Sequence, residues 1–175
     1  MLVGTSGSPG SLQALRYGEG LARALDAVLV PVLAWEMPGG EHADRVQPSP
    51  HLRQACRDLA CERLREALIA VWGEVPDGPM VEPHVERGPA GRVLVNLASR
   101  PDDVLVVGAG RRGALGRLAF SRVSRYCLAR ARCPVMAIPP PALACELGHS
   151  RLAWVFWRRS LTPEQVLRDQ DRPAA

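Results

Sequence analysis

VLVVGAGRRGALGRL, residues 104–118, decides the fold. Its first five residues form a continuous apolar run, largely β-branched and ended by Gly108, the pattern of a strand buried on both faces. A glycine-rich loop follows, and SRVSRYCLARAR (121–132) then carries a helical pattern. Strand, glycine loop and helix in that order form the geometry that cradles a phosphate, because backbone amides converge at a helix N-terminus. Here arginines crowd the loop instead. Seven of them (111, 112, 117, 122, 125, 130 and 132) lie between Gly108 and Cys133, with no acidic residue among them.

Working outward, LVGTS (2–6) is a short apolar run and predicts a buried strand. Ser8 followed by Pro9 is a helix start, a hydroxyl cap with proline at the first helical position. Leu12, Leu15, Ala22 and Leu25 then share one helical face. VLVPVLAW (28–35) predicts a second strand, in which Pro31 removes a backbone donor. EMPGGEHADRVQPSP (36–50) is rich in glycine, proline and charge and is expected to be a loop. Residues 51–73 carry Leu52, Cys56, Leu59, Leu64, Leu68 and Val71 at helical spacing. MVEPHVERG (80–88) predicts a third strand. GPAGRVLVNLA (88–98) predicts a helix with Pro89 near its start and Val93, Leu94 and Leu97 facing inward. CPVMAIPPP (133–141) closes the series with a fifth strand and a proline stop.

Five strands alternating with four helices call for an α/β fold, a doubly wound five-stranded parallel sheet with helices on both faces. It belongs to the flavodoxin/Rossmann-like class, with a flavodoxin-like order as the simplest topology. Ligands of such sheets sit at the carboxyl ends of the strands, at the switch point. That places a ligand between the loops after the first and fourth strands.

The chain has 175 residues, enough for one domain with a tail and a sizeable core. Its 47% hydrophobic and 23% charged residues exclude a disordered chain, and no apolar run reaches the roughly 20 residues of a membrane span. All 22 basic residues are arginine, the cation that binds phosphate bidentately and keeps its charge. MLVGTSGSPG has no signal-peptide pattern. The five cysteines form no CxxC pair, and the four histidines form no metal-binding cluster. Buried reduced thiols and a cytoplasmic location are the expectation, with no metal site.

Three stretches in series resemble the universal stress protein family: VGTSGSPGSLQAL, then GPAGRVLVNLA, then VLVVGAGRRGALGRL running through SRVSRYCLARARCPVMAI. The resemblance covers residues 1 to about 140 and implies the fold above. It also implies homodimers pairing through the last strand, here 134–138, and in many members ATP at the switch point, with Mg only if ATP binds. Other members work through protein partners without ATP. The family's nucleotide pattern is glycine, two residues, glycine, nine residues, glycine, then serine or threonine. Anchored on Cys133 and Pro134, it starts on Gly108 and continues on Arg111, Ser121 and Arg122. A register two residues on puts Gly110, Gly113, Val123 and Ser124 in those places but breaks the spacing to the last strand. Ser6, followed by Gly7, stands where the family has an aspartate that contacts adenosine. Losing such a charge-assisted bond costs about 1.5–3 kcal/mol. Ala34 matches the backbone contact to adenine.

Arg111 puts a side chain where the backbone should approach a phosphate, although Gly110 and Gly113 flank it. Arg122 and Arg125 are expected in the first turn of the 121–132 helix, where cations oppose the helix dipole, with Ser121 as its cap. Two readings stay open. Either guanidinium groups replace the amide cradle around an adenine nucleotide, or the motif is degenerate and the chain is a nucleotide-independent, homodimeric interaction protein. No nucleophile–base–acid trio is recognisable, so at most slow ATP hydrolysis is expected. His84 is expected as a core or edge residue, and Asp102 and Asp103 as a solvated turn. Aromatics are only 5% and barely interleave with the arginines, which argues against nucleic acid.

Domain boundaries are expected at 1–141 for the α/β domain and 142–175 for a C-terminal extension. Thr162-Pro163-Glu164-Gln165 is a capping box for a short helix there. AWVFW followed by two arginines (153–159) is a candidate protein-partner or membrane-surface segment, or a strip folded back on its own domain.

Overall fold

Alternate residues of the central strands enter two different cores. Val3, Leu33 and Val106 join one buried cluster; Leu2, Val32, Leu105 and Val107 join the other. A two-residue side-chain period with both faces apolar requires helices on both sides of the sheet. The computed structural model describes residues 1–73, 81–110 and 121–141, all within the compact unit Met1–Pro141.

The elements run β1 (Leu2–Gly4), α1 (Pro9–Ala24), β2 (Val30–Trp35), α2 (Gly40–Val46), α3 (Pro50–Trp72), β3 (His84–Arg87), α4 (Ala90–Leu97), β4 (Leu105–Gly108), α5 (Arg122–Arg130) and β5 (Val135–Ile138). All strand pairs are parallel, in the order β3-β2-β1-β4-β5. This is the doubly wound sheet expected from the sequence, but its order is the dinucleotide-fold one rather than the flavodoxin-like one expected, and it sets β1 between β2 and β4. Ala14, Leu15 and Ala22 of α1 and Ala60, Leu64 and Leu68 of α3 cover one face. Val93 and Leu94 of α4 and Cys127 of α5 cover the other.

Several details correct the sequence reading. The 36–50 segment is not a plain loop, because it contains α2. That helix is too short for hydrophobic period to reveal, and its buried Asp44 is held by Arg53 and Arg87. Leu25 does not face inward: it follows the last residue of α1 as its C-cap and is 56% exposed. The four described cysteines are free thiols, as expected, but only Cys127 is buried.

Pro31 sits inside β2 without disrupting it. Val30 donates its N–H to Met1 and Val32 accepts from Thr5, so both face β1. Pro31 therefore faces β3, at the gap between the Leu29–Val81 bridge and the ladder that begins at Val32–His84. The Glu82 N–H bonds the Leu29 carbonyl, and Pro31 leaves the next position of the β2–β3 pairing without a donor, which separates the bridge from the ladder.

Candidate functional site

Two loops meet at the carboxyl edge of the sheet because β1 and β4 are neighbours whose connections leave on opposite faces. One carries Ser6 and Gly7 into α1. The other leaves β4 at Gly108 and re-enters described structure at Ser121. Extending the β1–β2 register from Gly4–Val32 sets Ala34 level with Ser6. The structure thus brings Ser6, Gly7, Ala34, Gly108, Gly110, Ser121 and Arg122 to one edge of the sheet. Arg111 and Gly113 lie outside the described residues.

Gly7 has φ 75°, and nothing stands within 4 Å of the position a Cβ would occupy. Gly110 has φ 94° where the chain turns off β4. Both are left-handed conformations that side chains rarely adopt. Gly108 is required for a different reason. A Cβ there would lie 2.8 Å from the carbonyl carbon of Gly10 and 2.9 Å from its oxygen. Only hydrogen at this position lets the end of β4 pack on the first turn of α1.

The serines form two closed groups. Ser8 is the N-cap of α1 and accepts from the Ser11 amide at 3.3 Å. Ser11, 4% exposed, donates its hydroxyl to the Ser8 carbonyl at 2.9 Å. Ser6 then donates to Ser11 Oγ at 3.3 Å, which leaves Ser8 as the donor in the 3.1 Å bond between Ser6 and Ser8. All three hydroxyl protons are committed within the group. At β4, Ser121 is the N-cap of α5 and accepts from the Ser124 amide at 3.1 Å. Ser124, fully buried, donates to the Gly108 carbonyl at 2.7 Å. Ser121 must therefore donate to Ser124 Oγ across 2.7 Å. Together with the Ser121 amide bond to Ala109 at 3.3 Å, this ties the start of α5 to the end of β4.

Arg122 is the first residue of α5 and is exposed; Arg125 stands in the same turn. Two cations therefore sit at the positive end of that helix dipole. With every described hydroxyl proton already used, an anion entering this edge would be met by backbone amides and guanidinium groups, or would have to open a serine group. Among the described residues no cluster of histidine, cysteine or carboxylates has metal-binding geometry, and no described helix is long and apolar enough to cross a membrane.

Ser11 escaped the sequence reading, and Ser124 entered it only as the hydroxyl of the second register. Ser11 lies three residues after the cap and Ser124 three after Ser121, so a serine pair at that spacing was the available signal. His84 is on the edge strand β3, 3.1 Å from Glu86. Asp103 accepts from the Arg100 amide at 3.0 Å in a turn, as a structural aspartate would.

The model of the universal stress protein family matches residues 1–139. No curated protein sequence matches the chain. Among solved structures, a universal stress protein from Lactobacillus plantarum is 20% identical, covers 78% of this chain and 94% of its own, and has a TM-score of 0.59. One from Archaeoglobus fulgidus is also 20% identical, over 78% of this chain and 96% of its own, with a TM-score of 0.51. A universal stress protein solved in complex with cAMP is 26% identical over 80% of this chain and 95% of its own. Its TM-score of 0.47 is too low to carry any inference about this chain's ligand. Two structures at these identities establish the shared fold, and the family match spans most of the chain. The chain belongs to the universal stress protein family.

Proposed function

We propose that this protein is a stress-response regulatory module that binds adenine nucleotide, ATP with Mg, at the β1–β4 edge. The observation that carries the reading is the pair of left-handed glycines, Gly7 and Gly110, on the two loops that flank the switch point. Such glycines let backbone amides approach an anion closely. Ser6 offers its oxygen to a ribose hydroxyl, Ala34 its backbone to adenine, and Arg111 and Arg122 take the phosphates that glycine and hydroxyl hold in the family pattern. Gly108, Gly113 and Ser121 shape the loop. The chain works in the cytoplasm as a homodimer. β5, the last strand in the sheet order, supports that pairing: Val135, Met136, Ala137 and Ile138 are all only half-buried.

The test is to denature purified protein, identify released nucleotide by mass spectrometry, and titrate Mg-ATP by calorimetry. Stoichiometric nucleotide or micromolar affinity supports the proposal. An empty protein with no heat at millimolar ATP favours the second reading, a nucleotide-independent interaction protein. That reading draws on the serine groups, whose hydroxyl protons are all engaged internally. Arg111→Gly combined with Arg122→Ser separates the two: it creates or strengthens ATP binding only where the rest of the cradle is intact.

A further inference from the structure

β3 is the edge of the sheet opposite β5, paired on one side only, with β2. Two bonds that flank this pairing fix which of its residues face β2. Glu82 donates its N–H to the Leu29 carbonyl and Gly88 donates to the Trp35 carbonyl, each at 2.8 Å. Backbone direction alternates along a strand, so residues 82, 84, 86 and 88 turn their polar backbone groups to β2. Val85 and Arg87 turn theirs the other way, where no described strand stands. An edge of this kind is a template for another strand.

Side chains alternate in the same rhythm. Val85 packs, with Trp35, on the core cluster that α1 and α3 cover. His84 and Glu86 share the opposite face, their side chains 41% and 48% exposed and 3.1 Å apart.

Backbone and charge together select a partner. Antiparallel strands exchange hydrogen bonds only between residues that both turn outward. For two copies of β3 related by a two-fold axis, that leaves registers centred on His84, Val85, Glu86 or Arg87. A centre on His84 sets Glu86 opposite Glu82, and a centre on Glu86 sets that carboxylate opposite itself. A centre on Arg87 sets two guanidinium groups together. Like charges directly opposite are destabilising. The centre on Val85 has no such pair. There each His84 imidazole, a hydrogen-bond donor, stands opposite Glu86 of the second copy, and Val85 meets Val85 as a β-branched cross-strand pair. Each Val85 N–H finds the Val85 carbonyl of the other copy, and each Arg87 N–H finds the Pro83 carbonyl. Pro83 returns no donor, but in this register it stands at the end of the paired stretch.

From this complementarity we infer that β3 pairs with itself: a second copy of this chain adds its β3 antiparallel, centred on Val85, and the two sheets become continuous. The inference uses neither β5 nor the β1–β4 edge, so it stands apart from the nucleotide reading and from pairing through the last strand.

The test is backbone amide exchange at Val85 and Arg87 in the full chain, followed by NMR as the protein is concentrated. Pairing protects both amides, and each is expected to exchange about tenfold more slowly in concentrated than in dilute protein. His84→Glu sets carboxylate opposite carboxylate and is expected to weaken the association about tenfold. Combining it with Glu86→His restores the association, because the swap again sets unlike groups opposite. Fast exchange of either amide at the highest concentration overturns the inference. So does slow exchange that His84→Glu leaves unchanged, since the protecting group is then not a second copy in this register. Where the variants fold poorly, the concentration dependence of the wild-type amides decides. Growth in mass by sedimentation with both amides still exchanging fast assigns association to another surface and overturns the inference.

Discussion

At the β1–β4 edge, neutral serine hydroxyls are bonded to one another; at the β2–β3 end, guanidinium groups are bonded to a buried carboxylate. The first arrangement is adaptable. A hydroxyl both donates and accepts, so rotation about one bond exchanges an internal partner for a ligand without stranding a charge. The second is preorganised. Asp44 fixes Arg53 and Arg87 in place, and removing it would leave two cations facing each other. The two polar clusters thus differ in what a disturbance does: a serine hydroxyl can turn to a new partner, whereas losing the one carboxylate strands two guanidinium groups.

The largest effect expected is at the seam beneath the serine edge. Gly108→Ala forces a Cβ against the backbone of Gly10, which cannot rotate away, and should cost about 2 kcal/mol in urea unfolding. A loss near zero would show that α1 moves freely over β4, and the picture of a fixed edge with mobile hydroxyls would fail. Ser124→Ala comes next. It removes the donor to the buried Gly108 carbonyl and should cost about 1.5 kcal/mol by the same measurement. A smaller loss than for an exposed serine would mean that water replaces the bond and the edge is open to its base.

Gly7→Ala is expected to cost about 1 kcal/mol, since the space is empty and only the left-handed backbone resists. Comparing it with Gly108→Ala separates conformational strain from collision within one site. The smallest effect is the acid response of the arginine end. The hydrogen bond from Arg87, with help from Arg53, lowers the Asp44 pKa below its ordinary 3.8. A lowered folded value means that the stabilisation is complete above 3.8 and is lost as pH falls through the folded value. Melting temperatures of wild type and Asp44→Asn should therefore converge below about pH 4, the difference being widest at neutral pH. A gap that persists unchanged into acid would show that Asp44 acts through packing rather than charge.

How much was legible depended on whether the signal was local. The caps were: Ser8 before Pro9 and Ser121 before Arg122 accept the helix amides anticipated from hydroxyls at those places. The strands were, because being buried on both faces demands unbroken apolar runs such as Leu105–Val107. Ser6, Ala34 and Gly108 were legible as strand ends, but only the observed order, with β1 between β2 and β4, brings them to one edge. What escaped was non-local. Asp44 sits in a segment with no period, and its partners are nine and 43 residues away.

By itself the sequence determined the doubly wound sheet and the departures at Arg111, Ser121 and Arg122, because propensity, period and motif spacing are properties of neighbours along the chain. Only the tertiary structure decided which hydroxyl protons are engaged, why Gly108 must be glycine and where a buried carboxylate gathers two arginines. Those depend on which backbone and which charges folding brings within about 3 Å, where hydrogen bonds and steric contact act and sequence distance does not count.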